Sequence, residues 1–503
     1  MSASQEKKAR AQRLSEGTDK KRNALTEEER KAKKFKTNAI IAVVAIMIVV
    51  VAAIIINSNL FYTGFTAVKV GNTSYNAAEL NVFFRNTYNS VYSGLGDFAS
   101  YVLDTSTPLD EQQYYGSEDQ TWADYLYDQT LENMRQITAL YDDAMANGYT
   151  LTAEDQESID SQVAMMQYYA VSNGLSNTNQ YLTAIYGKGV NEKVFTSVLT
   201  KMIVAQSWSA QVSDGFTYTD AELDGYYSEN ADDLDYFSYY AYLVGTGDEG
   251  FDEIEDEDAK QAAAHDAAEE IASAADEGEF LANIDAYSNG ESTTDSPSYT
   301  QGQYLSSIYK DWLLDAGRQA GDTDVIDTDG GAYAMFYVER DGNDYNLRNM
   351  RHILINTEAN DDGEYTEEAI EAARARIDEI YAEWQADPTE DKFAELANAN
   401  SDDGGSNTNG GLYENIVKHQ MVDAINSFLF EEGSQAGDTT IVYNSGSYEG
   451  WHIVYYMPES DEIYKDKLAG DALRSEDYGS YLDNLTAGYE ITTGSGLRFA
   501  KLK

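Results

Sequence analysis

Four histidines occur in this 503-residue chain, and two of them, His352 and His452, stand where chemistry could be done. His352 lies in Arg351-His352-Ile353-Leu354-Ile355 and His452 in Gly450-Trp451-His452-Ile453-Val454, both strand-like apolar runs. If those strands are neighbours in one sheet, the imidazoles can meet. Between them come Phe393-Ala394-Glu395-Leu396-Ala397, Ser401-Asp402-Asp403, Gly410-Gly411-Leu412, then Met421 and Phe430. The other two read as solvent-facing, His265 in an Ala/Glu-rich helix and His419 beside Lys418. Cysteine is absent, which removes thiolate metal sites, disulfides and cysteine nucleophiles together. No Gly-rich phosphate loop, Gly-x-Ser-x-Gly elbow or His-Glu-x-x-His zinc pattern is present, so no metal site and no cofactor is implied. The acidic tracts Asp248 to Asp258 and Asp322 to Asp329 lack the calcium-loop ladder and read as solvated loops.

The elements that must carry these residues form a repeated series. A strand at Tyr239 to Val244 is followed by an acidic loop, an alanine-rich helix (Ala259 to Ala275), a Ser/Thr/Gly stretch, the turn Gly317-Arg318-Gln319-Ala320-Gly321-Asp322-Thr323 and a strand at Ala332 to Val338. The order recurs with a strand at Met350 to Ile355, a helix from Glu367 to Trp384, a Gly/Ser/Asn loop, the turn Gly433-Ser434-Gln435-Ala436-Gly437-Asp438-Thr439 and a strand at Trp451 to Tyr456. The shared Gly-x-Gln-Ala-Gly-Asp-Thr within matching surroundings predicts a duplicated α/β domain. Aligning the copies puts Ala241 at the position of His352 and Tyr333 at that of His452, so the first copy lacks both imidazoles.

Ahead of the repeats, Val68 to Tyr75 reads as two short extended pieces around a Gly-Asn turn, with a helix from about Ala77. Long helices follow to about residue 230, broken at Asn147-Gly148, Asn173-Gly174 and Tyr186-Gly187, with capping boxes beginning at Thr152 and Thr219. The last segment, 459–503, is helical to about Leu485 and too poor in apolar surface to stand alone, so it is expected to pack on the first helical region.

Charge sets the setting. Lys and Arg number 34 against 88 Asp and Glu, a formal charge of −54, which excludes nucleic acid as a partner by bulk repulsion. Residues 1–37 are the exception, with twelve Lys and Arg against six acids. Directly after them, Ala39 to Ile56 is uninterruptedly apolar, close to the roughly 20 residues that span a bilayer core. The basic flank predicts a cytoplasmic N-terminus and one uncleaved transmembrane helix at 38–57, with the bulk outside the plasma membrane. Ile54-Ile55-Ile56-Asn57-Ser58 offers no small-x-small cleavage site.

Taken in order, the His-Ile-Leu-Ile strand, Phe-x-x-Leu-Ala, Ser-x-Asp, Gly-Gly-Leu, Gln-Met, the Gly-Asp turn and the closing Gly-x-His-Ile make residues 346–458 resemble a parvulin-type peptidyl-prolyl isomerase domain. With an anchor and a helical region ahead of it, the whole resembles the membrane-associated PrsA and SurA class of extracytoplasmic foldases. The resemblance implies an α+β protein: a basic tail (1–37), the anchor, a mostly helical chaperone-like domain (58–235), a degenerate parvulin-like domain (236–342), an isomerase domain (346–458) and the C-terminal segment. It implies that His352, Asp403 and His452 form the catalytic network, that Leu412, Met421 and Ile425 line the proline pocket, and that Ser447 supplies a hydroxyl ahead of the closing histidine. The implied partners are unfolded or newly exported proteins containing X-Pro bonds.

The chemistry needs such groups. Rotation about a peptide bond meets a barrier of about 18–20 kcal/mol, and X-Pro exchange takes roughly tens to hundreds of seconds unaided. An apolar socket for the ring and a preorganised polar wall favouring the twisted amide supply the difference, with no bond broken. Tyr413-Glu414-Asn415 after Leu412 and Ile425 in a position commonly Phe depart from the family pattern and imply a weaker grip. Those departures favour the alternative of a non-catalytic holdase that uses both repeats as scaffold.

Overall fold

The computed structural model describes residues 2–17, 27–360, 362–430, 433–446 and 448–502; Ser447 therefore lies outside the described residues. Glu27–Asn57 forms one helix, and its stretch Arg30–Val51 is long and apolar enough to cross a membrane. By its contacts the chain divides into two compact units, Met1–Gly215 with Tyr478–Lys503, and Phe216–Asp477.

In the first unit, β1 (Thr66–Val70) and β2 (Thr73–Asn76) pair antiparallel around Gly71, whose φ of +55° suits a residue without Cβ. The helices that follow begin on side-chain caps because their first amides have no partner within the helix. Thr152 with Asp155 forms the expected capping box, as do Asn76 with Glu79 and Thr121 with Asp124. They stop where expected: Ala146, Ser172 and Tyr186 are the last helical residues before Gly148, Gly174 and Gly187, all at positive φ. Tyr75, Leu80, Phe83, Met134, Leu182 and Phe195 sit in the buried core where these helices meet β1 and β2. The C-terminal stretch adds Ile491–Thr493 to β1 as a third strand, register Val68 to Thr493. Its Tyr481 hydroxyl donates to Asp143 at 2.8 Å, an acceptor shared with the Trp208 indole at 2.8 Å.

The second unit opens on the Thr219 capping box, completed by Glu222, and holds two four-stranded antiparallel sheets. One comprises β3 (Tyr236–Gly245), β4 (Ser298–Gln301), β5 (Thr323–Thr328) and β6 (Gly331–Asp341), in the order β4-β3-β6-β5. The other comprises β7 (Arg348–Asn356), β8 (Leu412–Ile416), β9 (Thr439–Ser445) and β10 (Glu449–Tyr456), in the order β8-β7-β10-β9. Replacing each strand of the first by its counterpart gives the second. β5 corrects one expectation: Asp322 to Asp329 is an edge strand, whose acidic residues Asp324 and Asp327 alternate with more buried positions, rather than a loop.

The repeated heptapeptide builds the same turn in each sheet. Gln319 and Gln435 amides donate to the carboxylates of Asp322 and Asp438 at 2.9 and 2.8 Å. Gly321 and Gly437, at φ +86° and +98°, then donate to the carbonyls of Tyr337 and Tyr456 at the ends of the neighbouring central strands. An Asx-type turn at a left-handed glycine closes the crossover and delivers the chain into β5 or β9. One face of each sheet is covered by a helix pair, Glu257–Ala272 with Glu277–Tyr287 and Glu367–Ala386 with Glu390–Asn400.

Candidate active site

Period-two alternation decides which side chains share a face. In β7 and β10, Ile353, Ile355 and Ile453 enter the core beneath the helix pair. Met350, Val454 and Tyr456 join a second apolar cluster on the opposite face, and His352 and His452 share that opposite face by alternation. The antiparallel register sets His352 across from Val454 and His452 across from Leu354, a diagonal pair two residues apart. Such diagonals lie within reach of ring side chains, and the two Nδ1 atoms are 3.2 Å apart. His352 is 6% and His452 1% exposed.

Asp403 reaches His352 because its loop is latched to β7. The Ser401 hydroxyl accepts the Leu354 amide at 3.1 Å, the Asp402 amide donates to the Leu354 carbonyl at 2.8 Å, and the Asp402 carboxylate accepts the Asn356 amide at 2.9 Å. These bonds explain the Ser-Asp pair ahead of the working acid. The loop returns through Gly410 and Gly411, at φ +67° and +70°; a Cβ on Gly411 would lie 2.1 Å from the His352 carbonyl oxygen, so only glycine passes.

Asp403 Oδ2 lies 2.8 Å from His352 Nε2 and also accepts the hydroxyls of Ser406 and, at 3.0 Å, Tyr413, while Oδ1 accepts the Gly405 amide at 3.0 Å. Partial burial pushes this carboxyl up, but the bonds from Ser406, His352 and Gly405 outweigh it and hold it well below the usual carboxylate range. Burial pushes His352 down, only partly offset by Asp403. Burial, followed by the neighbouring His352, lowers His452 to about 4.

These directions fix the protons. An ionised Asp403 requires Nε2–H on His352. A neutral His352 then accepts at Nδ1, so His452 donates from Nδ1–H and is left with an acceptor at Nε2. The Tyr448 hydroxyl, 3.1 Å away, donates to it. The result is a one-way relay, Tyr448 to His452 to His352 to Asp403, with every ring nitrogen partnered.

The structure thus brings His352, Asp403 and His452 together. Ile425 (2% exposed) and the half-buried Met421 lie in the apolar cluster on the histidines' face. Leu412 is set apart: it pairs with Arg351 while Tyr413 pairs with Met350, so alternation gives the histidines' face to Tyr413. Tyr413, which the sequence marked only as a departure, stands edge-on to His352 at 5.2 Å. Tyr448, adjacent to Ser447, was not singled out, since one phenol among 40 tyrosines carries no spacing signal. His265 is half-buried against Asp327 at 2.8 Å, and His419 is exposed as expected but lies on the Tyr299 ring at 4.0 Å. Among the described residues no group of three or more His, Cys, Asp or Glu is placed to hold a metal ion.

Residues 352–458 match the family described as Rotamase, the PPIC-type PPIase domain. By that match the chain carries a parvulin-type peptidyl-prolyl cis/trans isomerase domain, and its His pair and acid lie inside the matched segment. Solved structures similar to it include the foldase protein PrsA from Streptococcus pneumoniae, at 11% identity over 74% of this chain and 83% of that one, TM-score 0.26. Another is the peptidylprolyl isomerase PrsA from Bacillus cereus, at 14% identity over 59% and 85%, TM-score 0.17. With scores this low, neither overlay adds to the argument from the site. No curated protein matches.

Proposed function

We propose that this chain is a membrane-anchored foldase whose 346–458 domain isomerises X-Pro bonds of exported polypeptides outside the plasma membrane. The observation that carries the reading is the fully partnered relay from Tyr448 to Asp403 on one face of the sheet, inside the matched domain. In this reading His352, His452 and Asp403 form the polar wall. Because each proton is already committed, the wall is oriented before the amide twists, and stabilisation needs no reorganisation. Met421, with Ile425 behind it, supplies apolar surface for the proline ring, and Tyr448 takes the hydroxyl role expected of Ser447. The basic tail and the Arg30–Val51 span support an N-terminus in the cytoplasm.

The first sheet supports a degenerate second copy. In its register Ala241 faces Met335 and Leu243 faces Tyr333, as His352 faces Val454 and Leu354 faces His452. Neither Ala241 nor Tyr333 can supply the relay. The test is cis/trans exchange of a proline tetrapeptide followed with the full chain, His352→Ala and His452→Ala. Acceleration by the wild type and its loss in both variants is expected; a wild-type rate at background overturns the reading.

One observation favours a holding role beside turnover. On the helix Ala153–Ser172, Met165, Tyr168, Tyr169 and Val171 are exposed, offering adaptable apolar area to an unfolded chain. Suppression of client aggregation that persists in the His352→Ala, His452→Ala double variant is expected, and its abolition there would remove this role.

A further inference from the structure

We infer that the first, imidazole-free sheet braces the substrate-gripping loop of the second, so that it acts as a positioning element for turnover. This rests on the reading above, in which Met421 contacts the proline ring. Met421 lies in the connection from β8 to the helix Asp423–Phe430, and that connection is held by the neighbouring repeat through Lys418 and His419.

Lys418 Nζ lies 2.6 Å from Asp341 Oδ2 at the end of β6, with side chains 28% and 10% exposed. Asp341 also accepts the Tyr299 hydroxyl from β4 at 3.0 Å and the Asn343 amide at 2.9 Å, so its position is set by the first repeat. The His419 ring lies on the Tyr299 ring with centroids 4.0 Å apart, and Tyr299 is itself stacked on Tyr236 of β3 at 4.7 Å. The Lys418 amide donates to the Tyr345 hydroxyl at 3.2 Å, and its ammonium stands 4.7 Å from the centre of that ring. Four groups from the first sheet and the linker after it therefore converge on two consecutive residues.

Those two residues are where the loop is least able to hold itself. His419 has φ +60°, a left-handed conformation that costs a non-glycine residue of order 1 kcal/mol and persists when surroundings impose it. On the other side the His419 amide donates to Asn426 Oδ1 at 2.6 Å, and the Val417 amide to Gln420 Oε1 at 3.0 Å. The brace is thus tied directly to the helix that carries Ile425. Displacement of His419 moves Met421, two residues on, relative to the His352 and His452 rings, which are fixed by the sheet.

The experiment compares the full chain with Asp341→Asn, Tyr299→Ala and the exchanged pair Asp341→Lys with Lys418→Asp. Each variant is read by KM and kcat on a proline tetrapeptide and by backbone hydrogen exchange over residues 417–426. Expected are faster exchange of that segment in both single variants and a KM raised roughly tenfold, as for a small misplacement of a binding group, with kcat changed less. The exchanged pair is expected to recover part of both. Unchanged exchange over 417–426 in Asp341→Asn and Tyr299→Ala overturns the brace. Faster exchange with KM unaltered overturns its role in substrate positioning. If the wild type itself shows no turnover, the isomerase reading fails, while hydrogen exchange still decides whether the brace exists.

Discussion

Asp403→Asn puts the proton relay to its sharpest test. Oδ2 receives His352, Ser406 and Tyr413, whereas Oδ1 receives only the Gly405 amide. An asparagine must choose, because its NH2 cannot accept. Turning its oxygen toward the three donors keeps the relay direction and sets NH2 against the Gly405 N–H, forfeiting that bond. The opposite choice would force both hydroxyls and both imidazoles to reverse. Three donors outweigh one, so the variant is expected to keep Nε2–H on His352 and Nδ1–H on His452, with the charge lost. A charge-assisted bond is worth about 1.5–3 kcal/mol, against about 1 for a neutral one. Adding the lost Gly405 contact gives a destabilisation on the order of 2 kcal/mol. Asp403 opposes the effect of burial on His352, so the His352 pKa should fall further in the variant. Loss of a preorganised charge beside the wall should slow turnover roughly tenfold or more. Imidazole 15N shifts report the tautomers, urea unfolding the stability and tetrapeptide exchange the rate. A wild-type spectrum with the proton of His352 on Nδ1, or a variant as stable and fast as wild type, would refute the assignment.

Three further outcomes follow from the same geometry. His452 is depressed from 6.5 to about 4 by burial and then by His352; the unfolded chain therefore binds the proton first, and stability present above about pH 6.5 is lost as pH falls toward 4. The effect is on the order of 3 kcal/mol, and unfolding of wild type against His452→Gln should show that part of the acid slope vanish; parallel slopes would contradict a neutral buried His452. Tyr448→Phe removes the donor to His452 Nε2 and leaves a buried acceptor unpaired, costing about 1–3 kcal/mol by urea titration and lowering turnover. Equal stability and rate would place Tyr448 outside the relay. Gly411→Ala drives a methyl group into the His352 carbonyl at a left-handed φ; the expected cost exceeds the roughly 1 kcal/mol of the dihedral alone and should shift the His352 resonances. Neutral behaviour would mean that this loop is not fixed to β7.

The paired histidines were legible in sequence because a strand has period two: two short apolar runs, each with one imidazole, admit few arrangements once they pair. The helical breaks at Gly148, Gly174 and Gly187 were legible for a similar reason, since a left-handed residue after a helix selects glycine. Tyr413 and Tyr448 were not, because a phenol reaches the site from the rim at no fixed spacing. Ile491–Thr493 escaped notice as a strand, being three residues long with no alternation to read, and it is defined only by β1. β5 was taken for a loop because its edge position leaves Asp324 and Asp327 in solvent, a pattern that composition alone cannot separate from a turn.

The two sheets separate scaffold from chemistry within one chain. What they share, Gln-Ala-Gly-Asp-Thr, acts almost entirely through backbone amides and carbonyls, closing the crossover that places the last two strands. None of those side chains contributes to the relay. What differs lies at the positions that face across the central strand pair, where imidazoles stand in one sheet and Ala241 and Tyr333 in the other. The first sheet buries an apolar cluster on that face, with Phe237, Tyr239, Leu313 and Met335, and so needs no polar partners there. The second keeps two polar rings nearly dry, which costs stability unless every nitrogen is bonded. Asp403, Tyr413, Ser406 and Tyr448 are the residues that make that burial tolerable, and they are also the ones that orient the wall. Support and function therefore cannot be divided at this site: a change that frees any one nitrogen is read first as instability and then as lost turnover.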